Sequence, residues 1–272
     1  MPEPPPPELV ARLRAAGCVF AEDEAVLLVG AAHGAALEAL VARRTAGEPL
    51  EHVLGWAAFA GRRVAVAPGV FVPRRRTELV VRLAVGMVRR RMRLEGPPDD
   101  ASGGGPSHPL VVDLCCGSGA IGAAVAALLP EAEVWASDLD PVAVACARQN
   151  LPPERVVTGD LFDALPTTLR GRVDVLVVNA PYVPTDAIAT MPPEAREHEA
   201  RIALDGGADG VDLHRRVAAG CREWLRPDGH LVIETSRSQA PLTLAACADA
   251  GLAAYVETDD DLDATGVVAS SL

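Results

Sequence analysis

Four residues, Asn179-Ala180-Pro181-Tyr182, bring together the groups needed to grip a planar nitrogen. The Asn side-chain carbonyl accepts a hydrogen bond from an NH2 group, and so does the backbone carbonyl of Ala180. Pro181 donates no backbone N–H and stiffens the turn, while Tyr182 offers a flat ring to pack on a planar group. Such a turn suits the holding of an amide or amino nitrogen. Asn and Pro are also common in ordinary strand-to-loop turns, so the tetrapeptide alone reads either way.

A second group lies upstream. Val111-Val112-Asp113-Leu114-Cys115-Cys116-Gly117-Ser118-Gly119-Ala120-Ile121-Gly122 has the form of a strand, a glycine turn and a helix start. Gly117 and Gly119 would let a ligand approach the backbone where side chains block it; a pure packing turn is the alternative. Asp138, followed by Leu139, closes the next strand, where an acid can accept both hydroxyls of a ribose. Asp140 fits a helix cap ahead of Pro141. Asp160 ends the strand after that and could reach an adenine amino group, with Leu161 or Phe162 lining the ring; a loop or capping acid would look the same.

The elements that must position these residues follow from periodicity. Strands are expected at Leu110–Leu114, Glu133–Asp138, Arg155–Asp160, Val173–Asn179, His230–Thr235 and Ala253–Thr258, with a last one at Gly266–Ser271. Helices fit Ala120–Leu129, Pro141–Asn150, Val211–Leu225 and Gln239–Ala250. This alternation implies an α/β fold with a doubly wound, mainly parallel sheet. The glycine loop, Asp138, Asp160 and Asn179 then stand at the carboxyl ends of four successive strands, where open α/β sheets bind ligands. That order sets a nucleoside site beside a nitrogen-holding turn, the arrangement of an S-adenosylmethionine-dependent N-methyltransferase.

The amino-terminal part reads differently. Residues 1–58 form a helical domain, with Leu9, Leu13, Val26, Leu27, Leu37, Leu40 and Val41 at helical spacing. Residues 59–94 hold a hairpin at Phe59–Val66 turning near Gly61, a short extended piece ended by Pro73, and a helix to about Leu94 that Thr77 can cap. Residues 95–109 have turn-forming composition and read as a flexible connection to a Rossmann-like domain over 110–272.

Composition narrows the function classes. The chain has 272 residues, 49% of them apolar, and no Lys; this Arg-only, Ala-rich usage reads as genomic bias. Its 25 basic and 37 acidic residues, a net charge of −12, lack the footprint of a nucleic-acid binder. The six cysteines form no CxxC pair, and neither a secretory signal nor a membrane-length apolar run is visible, so a soluble, reducing, cytoplasmic setting is expected. The histidines show no metal-ligand spacing with the cysteines, and no metal is expected. Cys115 and Cys116 read as small fillers beside the glycine loop. The arginine runs at 74–76 and 89–93 read as a solvated helix face or as a site for an acidic partner.

On these residues the chain resembles the release factor glutamine methyltransferases of the HemK/PrmC type, over nearly its whole length. Gly47–Gly55 resembles that family's interdomain segment, and Gly69-Val70-Phe71-Val72-Pro73-Arg74-Arg75-Arg76-Thr77-Glu78 its G-x-x-x-P-R-x-x-T-E signature. Asp113–Gly119 resembles its cofactor loop, Asn179–Tyr182 its N-P-P-Y, and Glu199–Gly207 its E-P-x-x-A-L-x-x-G stretch. The resemblance implies a class I, Rossmann-like methyltransferase with a small helical substrate-recognition domain. It implies methyl transfer from S-adenosylmethionine to a protein glutamine side-chain nitrogen, in the family the glutamine of a release factor's Gly-Gly-Gln loop. Cofactor contacts then fall to Asp113, Cys115, Cys116, Gly117, Ser118, Gly119, Asp138, Leu139, Asp160, Leu161 and Asn179. Substrate contacts fall to Asn179, Ala180, Pro181, Tyr182, Glu199 and Arg74. Ala180 stands where the family has its first Pro, Arg75-Arg76 replace a mixed or acidic pair, and the ending Val267–Leu272 lacks the family's basic one. These departures read as a divergent side branch and bear on the substrate more than on the chemistry. An N6-adenine nucleic-acid methyltransferase, an N-methyltransferase of another protein, peptide or small molecule, and a binding module without turnover are the competing readings.

Overall fold

The computed structural model of the chain describes residues 5–95 and 108–271. Four helices open it: α1 (Pro7–Ala15), α2 (Ala21–Ala31), α3 (Gly34–Thr45) and the short α4 (Leu50–Leu54). Leu9 and Leu13 recur one helical turn apart, as do Ala21, Ala25 and Leu28, and with Val41 and Val53 they close a small core of their own. Val26, read as part of that apolar face, is exposed instead.

The hairpin follows. β1 (Trp56–Phe59) pairs antiparallel with β2 (Arg62–Ala65), three residues earlier than the pattern indicated, because Ala57 partners Val64. Ala60 and Gly61 form the turn with φ of 48° and 73°, the left-handed pair that a two-residue hairpin requires. A single 3-10 turn, Arg75–Thr77, leads into α5 (Glu78–Glu95). The expected linker falls mostly on residues 96–107, outside the described residues.

The remaining strands are β3 (Leu110–Leu114), β4 (Glu133–Asp138), β5 (Val156–Thr158), β6 (Val173–Val178), β7 (Leu225–Thr235), β8 (Leu252–Asp259) and β9 (Ala264–Ser271). They form one sheet in the order β5-β4-β3-β6-β7-β9-β8, parallel from β5 through β7, with β9 antiparallel to both neighbours. The mainly parallel α/β expectation is met. Between strands run α6 (Ala120–Leu128), α7 (Pro141–Ala147), α8 (Pro193–His198), α9 (Asp212–Cys221) and α10 (Ala240–Asp249). The helix expected to reach Leu225 stops at Cys221, because Leu225 pairs with Val173 to begin β7.

Alternation along each strand sends its residues to two different cores. Val111, Val175, Val177, Val232 and Val268 pack with Val81, Ala84 and Val88 of α5. Leu110, Val112, Leu114, Leu176, Val178 and Ile233 pack with Val217, Cys221 and Cys247 of α9 and α10. Apolar cover on both faces is why β6 is buried throughout. Its one acid, Asp174, is held by Arg91, Arg226 and the Leu110 N–H, so the charge does not stay unpaired. Among the described residues no helix is long and apolar enough to cross a membrane.

Candidate active site

The chain runs from β3 outward to β5 and then returns to lay β6 against β3, so the topological switch point lies between β3 and β6. Leu114 pairs with Val178 there, and Val178 pairs with Ile233. The glycine loop and Asn179 therefore leave the sheet side by side, with Glu234 buried in β7 level with Asn179. They open into a cleft of about 810 Å³, within the range of small-molecule sites.

One half of the cleft is built from the ends of β3, β4 and β5. Cys115 and Gly117 both adopt φ of 55°, which curls the loop and turns its backbone toward the cavity. The Gly117 N–H donates to Asp138 Oδ2 at 2.8 Å, and the Asp140 N–H donates to Asp138 Oδ1 at 2.9 Å. Both oxygens keep lone pairs, so Asp138 is anchored while remaining an acceptor; burial raises its carboxyl above the usual range. Asp140 caps α7 through the Val142 N–H, as its position suggested. Cys116, Ser118, Leu139, Asp160 and Leu161 also line this half. Asp160 pairs at 2.7 Å with Arg216 of α9, a cleft residue the sequence reading missed.

Two expected cofactor contacts stand elsewhere. Asp113 is fully buried behind the loop, where Oδ2 accepts the Gly122 N–H at 2.9 Å and Oδ1 has no partner. It braces the start of α6 and is not among the lining residues. Gly119 is likewise a packing residue, since a Cβ there would lie 3.0 Å from that of Ala147. Of the two glycines, Gly117 faces the cleft.

The other half holds the tetrapeptide. Asn179, Ala180, Pro181 and Tyr182 all line the cavity. Asn179 Nδ2 donates to Thr77 Oγ1 at 3.4 Å, and the Tyr182 hydroxyl donates to Glu234 Oε1 at 3.4 Å. Arg76 lies over the Tyr182 ring and donates through Nε to the same carboxylate at 3.3 Å. Burial, then the nearby Glu234 charge, push the Tyr182 phenol up to about 12, so it stays protonated and donates. Gln239 Nε2 holds the Tyr182 carbonyl at 2.7 Å. Thr77, read as a helix cap, is buried in this network, and neither Glu234 nor Gln239 was singled out at all. Glu234 carried one usable signal: it follows an apolar strand in the way Asn179 does.

The cleft's rim joins distant segments. Glu199 accepts from the Val72 N–H at 3.2 Å and from Arg74 at 2.5 Å, while its Oε2 is buried without a partner. Burial raises its carboxyl, with Arg74 opposing. Glu199 and Arg74 both line the cavity. Gly69 bridges Glu199, and His52 of α4 hydrogen-bonds the Val70 carbonyl at 2.8 Å, tying the helical domain to this wall. Arg44 of α3 does the same on the far side, bonded to Glu24 and to Glu194 of α8.

The cleft fits S-adenosylmethionine by its own chemistry. Gly117 has room beside its backbone, with only the Phe71 Cβ, at 4.0 Å, in reach of an added Cβ. Asp138 and Asp160 offer acceptors to hydroxyl and amino groups, and Leu139, Leu161 and Ala143 supply an apolar wall. Among the described residues no group of three or more metal-ligating side chains occurs, and all six cysteines are free.

Comparison with known proteins agrees. Residues 106–207 match the family described as the methyltransferase small domain. A release factor glutamine methyltransferase of Streptomyces coelicolor is 41% identical over 202 residues, covering 74% of this chain and 67% of that one. A Bifidobacterium longum protein of the same name is 33% identical over 259 residues, covering 88% and 83%. A 4-amino-L-phenylalanine/4-methylamino-L-phenylalanine methyltransferase of Streptomyces pristinaespiralis is 37% identical over 196 residues, covering 71% and 63%.

Proposed function

Because the chain belongs to the release factor glutamine methyltransferase family, we propose that its cleft methylates the side-chain amide nitrogen of a protein glutamine, in a peptide chain release factor. The observation that carries this is one shared cavity: the Asn179-Ala180-Pro181-Tyr182 turn lies across it from Gly117, Asp138 and Asp160.

S-adenosylmethionine supplies an electrophilic methyl on a positively charged sulfur. A carboxamide nitrogen is a weak nucleophile because its lone pair is delocalised into the carbonyl. The Asn179 side-chain oxygen and the Ala180 backbone carbonyl accept its two N–H bonds, which aims the nitrogen across the cleft and stabilises positive charge as it develops there. The Tyr182 ring packs against the planar group. Asp138 would hold the ribose hydroxyls and Asp160 the adenine amino group, and Arg74 with Glu199 would flank the approach of the polypeptide. The nitrogen that gains the methyl would give up one of its protons to solvent after the transfer, so the scheme needs no strong base.

The test is incubation of the protein with methyl-labelled S-adenosylmethionine and purified release factors, followed by peptide mass spectrometry. One added methyl on the Gly-Gly-Gln glutamine, absent from Asn179→Ala, is the expected result. Label on another protein would keep the chemistry and replace the partner. A second reading, methylation of a small aromatic amine, is suggested by the name of the Streptomyces pristinaespiralis relative. An arylamine NH2 presents the same planar pair of donors. Label on a free amino-phenylalanine with none on protein would select it. The −12 charge disfavours an adenine substrate in nucleic acid, for which activity would fall steeply with salt.

A further inference from the structure

Asp138 and Asp160 both face the cleft, yet they are held in different ways. Asp138 is fixed by main-chain groups, the Gly117 and Asp140 N–H. Asp160 stands at the head of a single 3-10 turn, Leu161–Ala164, and its side chain does not cap that turn. Among the described residues the partner of its carboxylate is Arg216, which donates from Nη2 to Oδ2 at 2.7 Å. Oδ1 is left as a free acceptor. A carboxylate with no restraint samples several rotamers, and ordering it on binding costs affinity.

Arg216 is itself well placed by packing. On α9, Leu213, Arg216 and Gly220 recur at i, i+3 and i+7, one face of a helix. Gly220 lies against the Phe162 ring, where an added Cβ would come within 2.7 Å of Cε2, and Phe162 stacks on Trp224 at 5.8 Å. Val217 and Cys221 are buried in the core beneath the sheet. The helix is thereby locked against the segment that follows Asp160, one turn away from Arg216. Leu161, next in the chain, takes φ of 49°, a costly conformation for a bulky residue and one that gathers at ligand sites. Both members of the Arg216–Asp160 pair stay about half exposed, so the pair adds little to folding stability. Its position in the cleft gives it another use.

From this geometry we infer that Arg216 is a positioning residue for the cofactor's base: by occupying Asp160 Oδ2 it fixes the carboxylate and leaves Oδ1 to accept an N–H bond of the adenine amino group. The inference rests on the reading of Asp160 as the adenine contact. A fixed acceptor is also a selective one. An amino group brings a donor to Oδ1, whereas an oxo group in its place brings a second acceptor, and two acceptors repel. Arg216 supplies the orientation on which that distinction depends.

The test compares S-adenosylhomocysteine with S-inosylhomocysteine, in which oxygen replaces the amino group, by calorimetry on the full chain. The parent should bind the amino ligand about 10- to 10²-fold more tightly, the scale of one hydrogen bond to a charged group. Asp160→Ala should abolish most of that ratio. Arg216→Ala should weaken S-adenosylhomocysteine by about 10-fold and leave the oxo ligand little changed, so that the ratio collapses as it does in Asp160→Ala. Combining the two substitutions should add nothing further. Arg216→Lys, which keeps a charged donor, should recover part of the ratio. A parent-like ratio in Arg216→Ala, with both ligands weakened together, would reduce Arg216 to a structural residue and overturn the inference. Tighter binding of S-adenosylhomocysteine by Arg216→Ala would overturn it too, since Arg216 would then compete with adenine for Asp160. If Asp160→Ala also keeps the parent's ratio, the adenine reading of Asp160 falls with it.

Discussion

Gly206 lies directly beneath Tyr182. A Cβ at Gly206 would come within 2.7 Å of the Tyr182 Cα and 2.8 Å of the Pro181 carbonyl oxygen. The Gly206 N–H also donates to the Val183 carbonyl at 2.8 Å, so the segment after Glu199 forms the floor of the Asn179–Tyr182 turn. Gly210 makes the same close approach to the Tyr182 carbonyl and to Gln239. The two glycines therefore permit a contact of backbone on backbone, which any side chain would displace.

Gly206→Ala should consequently lift the turn away from the cleft. Overpacking of this kind costs about 1–3 kcal/mol. The diagnostic result is a fall in kcat with S-adenosylmethionine binding unchanged by calorimetry, since Gly117, Asp138 and Asp160 stand on other strands. An equal loss of both would point to general unfolding.

Asn179→Ala removes one of the two acceptors for the substrate nitrogen. Loss of a single charge-stabilising contact at a reacting centre costs about 10²–10³ in rate. Single-turnover methylation should fall by that amount, with cofactor affinity close to the parent's. A parent-like single-turnover rate would remove Asn179 from the mechanism.

Asp113 carries a pH dependence that does not involve the cleft. Burial raises its carboxyl to about 7 in the folded protein, against an ordinary value near 4. Between those two values the folded state holds the proton and the unfolded state has lost it. Stability from this group is therefore present at low pH and declines as pH rises from about 4 to about 7. Asp113→Asn keeps an acceptor for the Gly122 N–H but cannot ionise. Its melting temperature relative to the parent should rise across that range and level off above it; parallel curves would show that Asp113 does not titrate there.

Arg44 links three acids and carbonyls of separate segments. Its Nε bonds Glu24 at 2.6 Å, one NH1 contact reaches Glu194 at 2.8 Å, and another reaches the Glu48 carbonyl at 3.0 Å. Arg44→Ala strands the buried Glu24 and should destabilise the helical domain by roughly 3 kcal/mol, the low end for breaking a buried pair. Hydrogen exchange should quicken first in α2, α3 and α8. Uniform quickening across the sheet instead would mean that these elements are not coupled through Arg44.

How much of this was legible in the sequence depends on the range of the interaction concerned. The period of apolar residues located β3, β4 and β6, and the alternation of strand with helix implied a parallel sheet. A parallel sheet puts all carboxyl ends on one edge, so the strand-end residues Gly117, Asp138, Asp160 and Asn179 were bound to meet in one place. That much follows from local pattern alone. Ala180 also kept its role open to reading, because a backbone carbonyl survives any side-chain replacement.

Only the tertiary structure decided which groups face one another across the sheet. Nothing local to Thr77 distinguishes a helix cap from a buried hydroxyl that meets Asn179, a residue more than a hundred positions away in the chain. Nothing local to Gly119 tells ligand approach from contact with Ala147, and nothing near Arg216 names Asp160 as its partner. Asp113 reads like its neighbours on the glycine loop, yet the pleat turns it behind the loop to hold Gly122. Each of these outcomes was set by strand order and register, and those arise from packing of whole faces rather than from any short run of residues.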